Sequence, residues 1–226
     1  MRLRDVPSPN HDARPVGIPV DTLVLHYTGM PDEAAALARL TDPAAEVSAH
    51  YLVGEDGAVT RLVPEERRAW HAGVSHWRGH SGLNGRSIGI EVVNPGHDWG
   101  YRDFPALQMG AVSALCRDIM ARHPIAARNV VGHADIAPDR KRDPGEAFDW
   151  EGLARDGVGL WPCPWPGAVP DPAEAPALLA RIGYRSDLPV PVLLTAFQRH
   201  WRQDRVDGAA DPETLARLAA VAAACG

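Results

Sequence analysis

Asp21-Thr22-Leu23-Val24-Leu25-His26-Tyr27-Thr28-Gly29 is the run on which the reading of this 226-residue chain turns. It is short, rich in large apolar residues and closed by glycine, which predicts a buried strand. Ser87 to Val93 (SIGIEVV) has the same character and predicts a second. Between them, Pro31 to Leu40 carries Pro in its first turn and an Ala/Leu body, the pattern of a helix. Ala49 to Val53 and Ala58 to Val63 flank Gly54-Glu55-Asp56-Gly57. An Asp-Gly pair between two β-type runs predicts a hairpin, because both residues tolerate positive φ. Further on, Val112, Leu115, Cys116, Ile119 and Met120 recur at helical spacing, so residues 104 to 123 form an amphipathic helix. Asn129 to Val131 is a last short strand, running into Gly132 and His133.

Strands and helices mix here without strict βαβ alternation. That pattern predicts an α/β layered domain with one central mixed β-sheet covered by helices. Regular structure breaks at Trp161-Pro162-Cys163-Pro164-Trp165-Pro166-Gly167 and Pro170-Asp171-Pro172. The expected organisation is a main domain at 1–165, a Pro-rich linker at 166–173 and a small unit at 174–226. In that last unit Ala175–Ile182, Val192–Trp201 and Thr214–Ala223 are helical in pattern, and Asp211-Pro212-Glu213 is an N-cap followed by Pro at N1. Three short helices make a small bundle, with Phe197 and Trp201 one turn apart in its core.

A hydrophobic content of 45% and a charged content of 23% are those of a soluble globular protein. The formal net charge of -6 argues against a broad nucleic-acid surface, which needs clustered Lys and Arg. One local basic site would still serve an anionic substrate. The three cysteines, Cys116, Cys163 and Cys225, form no CxxC pair, so neither a thiolate metal site nor a disulfide framework is indicated. No apolar stretch approaches the roughly 20 residues that span a bilayer. Met1 to Pro7 has positive charges but no apolar segment behind them, and as written is not a signal peptide. A cytoplasmic location is expected, or a periplasmic one if an export signal was removed. A monomer is expected.

Ten histidines invite a search for a metal. His11, His76, His80, His97, His123 and His200 sit in polar or loop contexts that call for solvent or local hydrogen bonds. His26 and His133 differ, because each ends an apolar β-type run where a side chain projects from a sheet edge. Asp143 stands ten positions after His133, in a charged segment whose composition also fits a solvated turn. Two imidazoles, one carboxylate and an open position for water are a known catalytic zinc arrangement. Spacing alone does not bring the three together.

Gly132-His133-Ala134-Asp135-Ile136-Ala137-Pro138-Asp139-Arg140-Lys141-Arg142-Asp143-Pro144-Gly145, with Phe148-Asp149-Trp150 after it, resembles the zinc-site signature of the type-2 N-acetylmuramoyl-L-alanine amidases. Four further blocks agree in order: Leu25-His26-Tyr27-Thr28, Ser48-Ala49-His50-Tyr51-Leu52, Ala69-Trp70-His71-Ala72-Gly73, and Asn84 followed by Ser87-Ile88-Gly89-Ile90-Glu91. Together they cover residues 20 to 153. The resemblance implies one Zn²⁺ per chain at His26, His133 and Asp143, with Glu91 and Lys141 as the catalytic pair. It implies hydrolysis of the amide between N-acetylmuramic acid and L-alanine in peptidoglycan or muropeptides. His50, Trp70, His71 and Asn84 match family positions and are expected to wall the substrate pocket or back the metal ligands.

In the related phage-lysozyme and animal peptidoglycan-recognition branches, a cysteine is the third ligand and a catalytic tyrosine precedes the histidine matched by His50. Here those positions are Asp143 and Ala49, so Glu91 must carry the proton chemistry, as in bacterial amidases that recycle or remodel wall fragments. The tail resembles a peptidoglycan-binding three-helix domain through Ile182-Gly183-Tyr184, Ala196-Phe197-Gln198-Arg199-His200 and Val206-Asp207-Gly208. A non-catalytic peptidoglycan sensor on the same fold is the alternative, but it would be expected to have lost a ligand or the acid/base pair, and none is missing. A zinc peptidase would be expected to carry HExxH, which does not occur.

Overall fold

The computed structural model describes residues 3–162 and 169–226. Ten strands are described: β1 (Leu3–Asp5), β2 (His11–Ala13), β3 (Thr22–Tyr27), β4 (Tyr51–Val53), β5 (Val59–Arg61), β6 (Arg67–Ala69), β7 (His76–Trp77), β8 (His80–Ser81), β9 (Ser87–Val92) and β10 (Val130–Gly132). The α-helices are α1 (Glu33–Thr41), α2 (Gly96–Trp99), α3 (Ala106–Arg122), α4 (His133–Ile136), α5 (Trp150–Arg155), α6 (Ala175–Ile182), α7 (Val190–Trp201) and α8 (Pro212–Ala224).

Six strands form one mixed sheet in the order β1-β5-β4-β9-β3-β10. Only β4 and β5 pair antiparallel; the other neighbours are parallel. The β4–β5 hairpin closes as its Asp-Gly pair predicts, with one difference. Gly57 takes φ +79°, but Asp56 does not enter the positive-φ region. Its carboxylate instead accepts from Ala58 N–H at 2.9 Å, an Asx turn that does the same work without left-handed backbone. Helix α1 starts at Glu33, past Pro31, because Asp32 caps it by accepting from Ala35 N–H.

Side chains alternate across a strand, and the two sheet faces separate cleanly. Leu23, Leu25, Ile88, Ile90 and Val130 pack with Val112, Leu115, Cys116 and Ile119 of α3. Val24 and Val131 face the other way and share a core with Ile136, Leu179, Ile182, Leu194, Phe197 and Leu218. The helices after the Pro-rich break therefore bury the second face of the sheet. The linker expected at 166–173 lies partly outside the described residues; its end is a 3-10 turn, Pro172–Glu174, capped by Asp171.

Candidate functional site

Register places the site. His26, near the end of β3, is paired with Glu91 on the parallel strand β9, and Leu25 with Gly132, the last residue of β10. In parallel sheets the crevice beyond the carboxyl ends of the strands is where ligands bind. His133 begins α4 directly after β10, and Asp143 returns to it, since Ala134 N–H donates to Asp143 C=O at 2.8 Å.

Three buried side chains converge there. His26 Nδ1 lies 3.0 Å from His133 Nδ1 and 2.9 Å from Asp143 Oδ2, and His133 Nδ1 lies 3.1 Å from the same oxygen. The hydrogen-bond network assigns the protons. Ser87 O–H donates to Leu83 C=O at 2.7 Å, so Ser87 Oγ accepts from His71 Nε2–H at 3.1 Å. His71 Nδ1 is then a lone pair and accepts from His26 Nε2–H at 3.0 Å. His133 Nε2 faces the carbonyl of Ala72 at 3.2 Å and must be the N–H of its ring. Both Nδ1 atoms thus carry lone pairs, aimed at each other and at a carboxylate oxygen.

Three acceptors without a shared proton repel unless a cation stands among them. Burial, with His133 beside it, holds His26 down to about 4, so its imidazole is neutral near pH 7. Burial alone would raise Asp143, but His133 and His26 outweigh it and hold the carboxylate well below its usual range. Tetrahedral bonds of about 2.05 Å put ligand atoms about 3.3 Å apart, close to the edges found here. The donor set, two neutral imidazoles and one carboxylate, fits a divalent metal ion, and the far nitrogen of each imidazole is already held by the protein.

Glu91 lies beside this triad in a cleft of about 350 Å³. Burial, then the Asp143 carboxylate, pushes Glu91 well above the ordinary carboxyl range against the pull of Lys141. Its Oε2 is buried with no hydrogen-bond partner among the described residues. Lys141 lines the same cleft with Arg39, Arg140 and Arg142. Glu91, Asp98 and Asp143 share that lining, and Asp98 pairs with Arg142 at 2.9 Å.

Of the four expected pocket residues, Trp70 and His71 line the cleft, while His50 and Asn84 do not. His50 is fully buried directly before the interior strand β4, where its Nδ1 accepts from Gly89 N–H at 3.0 Å. Asn84 Oδ1 accepts from His71 N–H and Ala72 N–H at 3.0 and 2.7 Å, fixing the segment that supports both histidines of the triad. Ser87, which ends the relay, and Asp135, which ties α4 to the tail, went unsingled in the sequence. Both stand inside matched blocks, but their partners are 16 to 65 residues away.

Residues 16–146 match the protein family described as N-acetylmuramoyl-L-alanine amidase. The N-acetylmuramoyl-L-alanine amidase AmiD of Escherichia coli (strain K12) is 41% identical over 224 residues, 87% of this chain and 80% of AmiD. The 1,6-anhydro-N-acetylmuramyl-L-alanine amidase AmpD of Salmonella typhimurium (strain SL1344) is 41% identical over 167 residues, 66% of this chain and 87% of AmpD. The structure of E. coli AmiD in complex with its substrate, anhydro-N-acetylmuramic acid-L-Ala-D-gamma-Glu-L-Lys, superimposes with a TM-score of 0.80 at 40% identity, covering 91% of this chain and 90% of that one. AmpDh3 from Pseudomonas aeruginosa gives 0.81 at 35% identity, covering 96% and 97%. Fold and site are those of an amide-cleaving hydrolase. The chain belongs to the N-acetylmuramoyl-L-alanine amidase family.

Proposed function

We propose that this protein hydrolyses the amide between N-acetylmuramic acid and L-alanine in peptidoglycan or its fragments, with one zinc ion at His26, His133 and Asp143. The observation that carries the reading is the convergence of two Nδ1 lone pairs and a carboxylate oxygen within 3.1 Å of one another. When bound, zinc supplies water with a pKa of about 7 and polarises the scissile carbonyl. Glu91 takes the proton of the attacking water. The same carboxyl then protonates the departing alanine nitrogen, which is too basic to leave as an anion. Lys141, on the cleft wall, donates to the oxyanion that develops on the carbonyl, a contribution of about 3 kcal/mol. Trp70 and the arginines Arg39 and Arg140 of the cleft fit a sugar face and the carboxylates of a stem peptide.

The catalytic unit is 1–165, and the helical unit 174–226 beyond the linker resembles peptidoglycan-binding domains. Mass spectrometry of products from soluble anhydro-muropeptides and from intact sacculi, beside metal analysis of wild type and His133→Ala, tests the reading. Release of L-Ala-peptide with one zinc per chain is expected, lost together in the variant. A wild type that binds muropeptide without cleaving it would establish a sensor instead.

A further inference from the structure

We infer that the C-terminal helices position the metal site, with Tyr184 and His200 holding Asp135 and, through it, His133. The inference rests on the ligand role proposed for His133.

Asp135 lies two residues after His133 and is 1% exposed. Its Oδ2 accepts from Gly132 N–H at 2.7 Å, the reach-back of an N3 acid that ties the start of α4 to the end of β10. Both of its side-chain donors come from beyond residue 174. Tyr184 O–H donates to Oδ1 at 2.6 Å and His200 Nδ1–H to Oδ2 at 2.7 Å. Burial and the neighbouring Asp135 keep the Tyr184 phenol protonated, hence a donor. The His200 ring is itself clamped, stacked on Trp150 at 3.7 Å and on Trp201 at 3.6 Å between centroids. A carboxylate buried this deeply requires its donors, and here they fix it at three points.

The turn closed by Asp135 carries more than His133. Ala134 N–H is the group that holds the backbone of Asp143, so two of the three converging side chains hang from this short segment. Slackening the carboxylate releases both. Binding sites need their groups held within about 0.5 Å, and loss of such supporting partners costs about 10- to 100-fold in metal affinity.

The test uses the full-length protein and two readouts: zinc release to a chelator, and amide hydrogen exchange of residues 132–136 in metal-free protein. Tyr184→Phe and His200→Phe keep their rings and remove the donor. Both are expected to speed zinc release at least about tenfold and to speed exchange in 132–136. His200→Asn keeps a donor near Nδ1 but loses the stack, so it should melt lower than His200→Phe yet hold zinc longer. Ile119→Ala on α3, in the core on the opposite face of the sheet, lowers stability and should leave release and local exchange unchanged. If Ile119→Ala loosens 132–136 as much as Tyr184→Phe does, or if Tyr184→Phe changes neither readout, the positioning role is overturned. A wild type without zinc affinity would sink the metal assignment, and exchange alone would then decide the coupling.

Discussion

His26 Nε2 and His71 Nδ1 stand 3.0 Å apart, edge to face, both buried. Because His71 gives its own N–H to Ser87, it can only accept from His26, which turns the lone pair of His26 toward His133 and Asp143. On the proposed metal assignment, a histidine thus takes the place that a carboxylate or carbonyl often holds behind a metal ligand.

Removing that partner should be felt at the metal. His71→Ala leaves His26 Nε2–H buried and unpaired, and zinc affinity is expected to fall about 10- to 100-fold, with Ser87→Ala milder. Chelator competition measures both. Unchanged affinity in His71→Ala would refute the assigned protons.

Gly89 is required for the same reason. A Cβ there would lie 2.4 Å from His71 Cγ, inside the ring's own space. Gly89→Ala should cost about 1–3 kcal/mol in a urea melt and reduce zinc content, since His71 must move. Retention of both would show that the ring has room to shift.

Glu91 divides binding from chemistry. Glu91→Gln keeps the size of the side chain and removes its base, and turnover should fall about 10²- to 10⁴-fold with zinc stoichiometry retained. The assay is release of L-Ala-peptide alongside metal analysis. Near-wild-type turnover would move the proton chemistry to another group.

Glu65 offers a pH test away from the metal. Burial would raise its carboxyl, but Arg122, Tyr51 and His123 outweigh that and hold it at about 2. A carboxyl lowered by folding adds stability above its unfolded value, near 4.3, and loses it as pH falls toward 2. Glu65→Gln should therefore be less stable by about 2 kcal/mol at pH 7, with the gap closing between about pH 4.3 and 2. Urea midpoints across that range measure it; a gap independent of pH would assign the loss to packing.

Much of this molecule is written locally. The apolar runs of β3 and β9, the Asp-Gly hairpin and the capped α8 follow from residues near one another in sequence. The ordered blocks around His26 and His133 were enough to point to the three side chains that the fold brings together. β1 was not legible, because Leu-Arg-Asp is exposed at the sheet edge, has no apolar alternation, and finds its partner β5 56 residues later. His50 and Asn84 matched pocket positions by sequence, yet their polar atoms turn to the backbone of β9 and of residues 71–72.

By itself, then, the sequence determined the α/β class, the helical tail and the motifs whose histidines and aspartate converge, since periodicity, caps and contiguous motifs are short-range signals. Only the tertiary structure decided which imidazole nitrogens converge on Asp143 and what holds them. It also decided that the tail packs on the sheet and reaches Asp135. The physical reason is that a proton's place on a buried ring, or a carboxylate's third donor, depends on groups tens of residues away. Their meeting is an outcome of packing, and no local pattern encodes it.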